Sequence, residues 1–204
     1  FQIKEGPWAG RTLYDLYEEA YTPWDWHPDL QEVAHDRGLD FFSTPFDATA
    51  VEFLEELDVP VYKIASFENV DLPLIRRIAE TGKPVIMSTG MATLGEIEEA
   101  VEAFREAGGT ALALLACTSS YPAPPDEMHL RRIPHLSETF GVVPGLSDHT
   151  LGTEVPVAGV SLGAQIVEKH LTLSREEEGP DSDFSLEPEE FATMVQAVRK
   201  TEKA

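Results

Sequence analysis

Short apolar runs recur along the chain, each followed by an amphipathic segment and a tight connection. The runs are Leu39–Thr44, Val59–Ser66, Pro84–Thr89, Ala111–Cys117, Val142–Ser147 and Gln165–His170. They are apolar throughout rather than alternating, as parallel strands covered on both faces are. The segments between them predict helices at about 48–57, 72–81, 94–107, 127–140, 153–162 and 188–201. Before this rhythm, Gly6, Pro7 and Gly10 mark residues 1–11 as irregular. Thr12 is a candidate N-cap for a helix with Leu13, Leu16 and Tyr17 on one face. A second helix starts near Trp24 or Pro28 and runs to Arg37 before Gly38.

That makes about six strand–helix units. Doubly wound sheets and closed barrels both give this rhythm. The strand ends decide between them. Every run finishes in hydroxyl, charged or His residues, and a barrel gathers all such ends into one mouth. A barrel needs eight strands, so two are expected upstream of Phe1. The fold expected is a TIM (β/α)8 barrel, incomplete here, over residues 1–204.

The chemistry concentrates late in the chain. Gly145-Leu146-Ser147-Asp148-His149-Thr150 and Ile166-Val167-Glu168-Lys169-His170 each deliver one His at the end of an apolar run. One strand, one helix and two short loops separate the two His. They should therefore top neighbouring parallel strands and share a divalent cation, with Asp148 and Glu168 orienting them. Lys63 lies inside an apolar strand, which is costly unless the amine is paired with an acid such as Glu68, anchors a phosphate or forms a Schiff base. Thr44, Ser66, Ser88, Thr89, Ser119 and Ser147 offer hydroxyls to an anion. Glu68 is a candidate acid or base. Asp181, in a Gly179–Ser185 loop beyond the last strand, is placed to fold over the mouth. Glu176-Glu177-Glu178 reads as a solvated edge, and Trp8, Trp24 and Trp26 as packing for the first helices. Cys117 reads as a barrel-wall residue.

Composition narrows the partners. The 204 residues carry a formal net charge of −22, which repels nucleic acid. The excess of acidic over basic side chains also suggests a salt-adapted source. No apolar run approaches membrane-spanning length, so no membrane association is expected. The single Cys excludes an internal disulfide and suits a reducing, cytoplasmic compartment.

Seven stretches together resemble the sialic acid synthase family. They are Phe42-Ser43-Thr44-Pro45-Phe46, Tyr62-Lys63-Ile64-Ala65-Ser66-Phe67-Glu68, Ser88-Thr89-Gly90-Met91-Ala92, Cys117-Thr118-Ser119-Ser120-Tyr121-Pro122, Gly145 to Thr150, Glu168-Lys169-His170 and Gly179-Pro180-Asp181. Arg11 to Tyr17, Tyr21 to His27 and Asp181 to Leu186 look most like the pseudaminic acid synthase branch. Ser119 agrees, since the N-acetylneuraminate branch usually has Asn there. The resemblance implies condensation of phosphoenolpyruvate with a 2,4-diacetamido-trideoxy hexose, the open-chain amino-sugar aldehyde, to give a nonulosonic acid and phosphate. It implies that Lys63, Ser66, Thr44, Ser119 and Ser147 contact phosphoenolpyruvate. Tyr121 and Asp181 would contact the sugar, and Glu68 would lie near the reacting carbons. His149 and His170 would hold Mn2+ or Mg2+. The family also has a C-terminal antifreeze-like domain that reaches the partner's site, so a homodimer is expected at full length. The resemblance places the first two strands before Phe1 and that domain after Ala204, and Ala116 stands where Lys or His is expected. N-acetylneuraminate or legionaminate synthesis, a Schiff-base aldolase using Lys63, and a truncated module that binds metal or sugar without turnover are the alternatives.

Overall fold

The computed structural model describes residues 2–4, 6–177 and 179–204. Two helices come first. Helix α1 (Leu13–Ala20) begins where Thr12 accepts the Asp15 amide, and α2 (His27–Asp36) follows a single turn at Trp24–Trp26. Then come α3 (Ala48–Glu56), β1 (Tyr62–Ile64), α4 (Leu72–Ala79), β2 (Val85–Ser88), α5 (Leu94–Glu106), β3 (Leu112–Cys117), α6 (Arg132–Phe140), β4 (Val143–Asp148), α7 (Glu154–Ser161), β5 (Ile166–Lys169) and α8 (Pro188–Thr201). The five strands form one parallel sheet in the order β1-β2-β3-β4-β5, curled as half of a barrel.

The sixth expected strand, Leu39–Thr44, joins no ladder among the described residues. A strand at the end of a sheet has one neighbour to bond. The sheet begins with β1, itself only three residues long, so little ladder is on offer. Of the acidic run at 176–178, Glu176 and Glu177 are exposed as expected, and Glu178 lies outside the described residues.

The register divides the sheet into two faces, because successive side chains point to opposite sides. Tyr62 and Ile64 pair with Val85 and Met87, which pair with Leu112 and Leu114, and those lead to Pro144 and Leu146. This outer row is the core. It packs against Leu54 of α3, Ile75 and Ile78 of α4, Val101 and Phe104 of α5, and Ile133 and Leu136 of α6. Ala116 belongs to this row and is fully buried. It faces the helices, so no site residue is missing at that position.

The inner row runs Lys63, Ile86 and Ser88, Leu115 and Cys117, Gly145 and Ser147, Ile166 and Glu168. Gly145 is required here, since a Cβ would stand 2.3 Å from the Leu115 side chain and 2.9 Å from the Ile166 carbonyl. The helices therefore hold the sheet by its apolar face, and the face that carries the chemistry is left free.

Candidate active site

The pairing of Ser147 with Glu168 and of Asp148 with Lys169 puts His149 and His170 one step beyond the ladder, in register. Both belong to the inner row. Their ring centroids are 5.3 Å apart. The Thr118 carbonyl lies 3.0 Å from His149 Nδ1. A carbonyl only accepts, so Nδ1 carries the proton and Nε2 is the nitrogen open to a ligand, with the Cys117 thiol beside the ring as a competing partner. The Asp181 carboxylate stands 3.6 Å from His170 Nδ1.

Asp148 and Glu168, expected behind the two imidazoles, do other work. Asp148 faces the outer side, where it accepts from the Thr150 amide and, at 2.6 Å, from Lys169 Nζ. Both members of that pair are almost wholly enclosed, so charge and carboxylate satisfy one another. Glu168 accepts from Ser147 Oγ at 2.7 Å and stands 3.7 Å from Lys63 Nζ. The carboxylate beside Lys63 is thus Glu168, where the sequence pointed to Glu68. Lys63 also donates to Ser88 Oγ at 2.9 Å and to the Ile64 carbonyl at 2.7 Å. Burial pulls its ammonium below the ordinary lysine range, and Glu168 opposes that shift.

A group of hydroxyls converges next to this network. Ser66 Oγ accepts the Gly90 amide at 3.1 Å and donates to Cys117 Sγ at 3.5 Å. Ser119 Oγ lies 3.9 Å from the same sulfur. A Cβ on Gly90 would come within 2.2 Å of Ser119 Oγ and 2.7 Å of Ser66 Oγ. The missing side chain leaves a cradle of two hydroxyls against open backbone, a surface suited to an anion's oxygens. Thr89 is not part of it, since its hydroxyl donates to the Leu115 carbonyl at 2.9 Å. Cys117 touches both serines. Burial pushes its thiol up, but hydrogen bonds with His149, Ser66 and Ser147 outweigh burial and hold it below its ordinary value.

Above these groups lies a cavity of about 670 Å³ whose polar lining includes Glu68, Ser119, Tyr121, His170 and Asp181. Glu68 Oε2 is buried without a hydrogen-bond partner. Burial raises its carboxyl above the usual range, which favours the protonated form. Burial also pushes the Tyr121 phenol up to about 12. Thr44 lines an adjoining cavity of about 660 Å³ that shares His170 and Asp181. It stands on the Asp181 side, apart from the Ser66–Ser119 cradle.

Four participants were not visible as such in the sequence: the Thr118 carbonyl, the gap at Gly90, the bridging role of Cys117, and Trp8. Trp8 reaches beyond the first helices. Its ring lies 5.2 Å from Tyr121 and 5.8 Å from Phe184. Trp24 stacks 4.7 Å from Phe53 of α3.

The chain is similar to known proteins over its whole length. The profile described as the NeuB family matches residues 1–204. A pseudaminic acid synthase of Campylobacter jejuni is 47% identical over 204 residues, which is 100% of this chain and 60% of that protein. An N,N'-diacetyllegionaminic acid synthase of the same species is 42% identical over 87% of this chain and 54% of its own length. The crystal structure of an N-acetylneuraminic acid synthetase from Leptospira borgpetersenii superposes with a TM-score of 0.88 at 35% identity, covering 93% of this chain and 66% of that one. The chain thus spans about 60% of the length of the curated pseudaminic acid synthase it matches.

Proposed function

The chain belongs to the NeuB family, and from that premise we propose that it forms the inner wall of a synthase that condenses phosphoenolpyruvate with an amino-sugar aldehyde, of the pseudaminic acid type. The observation that carries this reading is the register of β4 and β5. It sets His149 beside His170 on the same face as the Ser66–Ser119 cradle and the Lys63–Glu168 pair. Together these offer one place for a cation and one for an anion, within reach of a single cavity.

The donor set fits a divalent ion. His149 presents Nε2 as its ligand atom because Nδ1–H is committed to a carbonyl, so a cation would take Nε2 from the neighbouring Cys117 thiol, and His170 faces the same space. Among the described residues, no cluster of three or more His, Cys, Asp or Glu side chains is placed to hold a metal. Two imidazoles leave the remaining positions open to oxygen ligands, as a catalytic cation requires. When bound, Mn2+ or Mg2+ supplies Lewis acidity toward the aldehyde oxygen and toward water.

The chain's own residues do the rest. Ser66, Ser119 and the Gly90 backbone seat the phosphate group, and Lys63 adds positive charge behind them without exposing its amine. Lys63 is only 7% exposed and held by Ser88, Ile64 and Glu168, which argues against a Schiff base with a carbonyl substrate. Glu68, protonated more readily than an ordinary carboxyl, gives a proton to an oxygen in the cavity. Tyr121, Asp181 and Thr44 orient the sugar. C3 of phosphoenolpyruvate then attacks the aldehyde carbon, water adds at C2, and phosphate leaves by C–O cleavage. The remaining strand–helix units of an eight-stranded barrel, a C-terminal antifreeze-like domain and a homodimer complete the site in the same proposal.

The test is phosphate release by the full-length enzyme supplied with phosphoenolpyruvate and, in turn, the 2,4-diacetamido-trideoxy sugar and N-acetylmannosamine. Release with the first sugar supports the pseudaminic assignment. Release with the second alone moves the enzyme to the N-acetylneuraminate type. A borohydride-stable adduct on Lys63 overturns the synthase chemistry.

A further inference from the structure

Trp8 reaches across the molecule. Its Nε1–H donates to the Pro180 carbonyl at 2.6 Å, a bond spanning 172 residues of sequence. Pro180 is the residue before Asp181. The far end of the Gly179–Ser185 loop is anchored to the sheet, where the Leu186 amide donates to the His170 carbonyl at 3.0 Å. The loop braces itself internally, with Ser185 Oγ donating to the Asp181 carbonyl at 2.7 Å. Among the described residues, the hydrogen bond that holds Gly179–Asp181 from outside the loop comes from Trp8. Its ring also packs near Tyr121 and Phe184, and Phe184 stands edge-on 5.0 Å from His170. One indole thus adjoins both expected sugar contacts, with its ring beside Tyr121 and its N–H on the residue before Asp181.

We propose that Trp8 is a positioning residue for the sugar half of the site: by binding the Pro180 carbonyl it fixes Asp181 beside His170 over the cavity. The sugar-binding role of Asp181 rests on the function proposed above, whereas the loop-holding role rests on the structure alone. A Trp used only as packing needs its ring and not its N–H. The indole N–H here is aimed at the one carbonyl that precedes Asp181. A Phe ring keeps most of the packing and removes the bond, so the two roles separate cleanly.

The experiment uses the full-length enzyme, unsubstituted and with Trp8→Phe, Trp8→Ala, Asp181→Ala and the Trp8→Phe/Asp181→Ala pair. Amide hydrogen exchange is followed in 179–186 and in β3 and β4, with KM measured separately for the sugar and for phosphoenolpyruvate. Loss of one buried hydrogen bond predicts exchange in the loop faster by about five-fold in Trp8→Phe, with the sheet unchanged. The sugar KM is expected to rise by about the same factor while the phosphoenolpyruvate KM holds, and the pair should match Asp181→Ala alone. Unchanged loop exchange in Trp8→Phe overturns the proposal. So does an equal rise in both KM values, or a pair whose effects simply multiply. If the unsubstituted enzyme does not condense the substrates, the reaction proposed above is wrong, and the exchange measurement still decides whether Trp8 holds the loop.

Discussion

At the residue level, Gly90 shows how little space lies between the Ser66 and Ser119 hydroxyls of the proposed anion cradle. A single methyl group there meets Ser119 Oγ at 2.2 Å and Ser66 Oγ at 2.7 Å. Gly90→Ala should therefore displace both hydroxyls while leaving the helix-packed face untouched. The expected result is a KM for phosphoenolpyruvate raised at least about ten-fold with an unchanged melting temperature, since a misplaced charged contact costs on the order of 1.5 kcal/mol or more. Steady-state kinetics beside a thermal melt checks it. The identity of these hydroxyls was readable from their place at strand ends. Which of them face one another was not, because that depends on register and on an absent side chain. Thr89 illustrates the limit: it is as polar as Ser88 and one residue away, yet alternation turns it toward the Leu115 carbonyl.

Elements carry the placement. The parallel pairing of β4 with β5 brings the two His into register and also buries the Asp148–Lys169 pair on the opposite face. Lys169→Met removes one partner and leaves a carboxylate enclosed without its cation. That should destabilise the fold by about 3–5 kcal/mol, measured by urea unfolding. By contrast, Thr93→Ala removes the cap of α5, where Thr93 and Glu96 satisfy each other's amides, and should cost about 1 kcal/mol. The helices were legible because their caps and breakers are local. The segment at 39–44 was not, because apolar character alone makes no strand: a ladder needs a neighbour, and this stretch finds none among the described residues. The acidic partners were misassigned for a related reason. Asp148 is next to His149 in sequence, and adjacent strand residues point to opposite faces, whereas Glu168 shares the inner face with His170 but is engaged by Ser147 and Lys63.

Across the whole molecule, charge sets the response to solution conditions. A formal net charge of −22 opposes compaction, and molar KCl screens it over a few ångströms. The melting temperature should therefore rise with KCl, and a flat response would remove the inference of a salt-adapted source. Acid acts through particular pairs. Hydrogen bonds from Arg175 and from the Glu187 amide hold the Glu190 carboxyl down at about 2. The folded state keeps this group ionised at a lower pH than the unfolded chain does. Its contribution is present above the ordinary carboxylate value of 4.5 and is lost as pH falls toward about 2. The pair is partly exposed, so the effect is small. Glu190→Gln should lower the melting temperature slightly at neutral pH and match the parent at the acid end, as melts across the range will show. No helix among the described residues is long and apolar enough to cross a membrane.

The proposed function requires one cation between His149 and His170. Calorimetric titration of Mn2+ into this chain, and into His149→Ala and His170→Ala, tests it most directly. The prediction is one ion per chain, with binding lost in both variants while each keeps its fold. Binding that survives either substitution, or no binding by the folded parent, would contradict the paired-imidazole site.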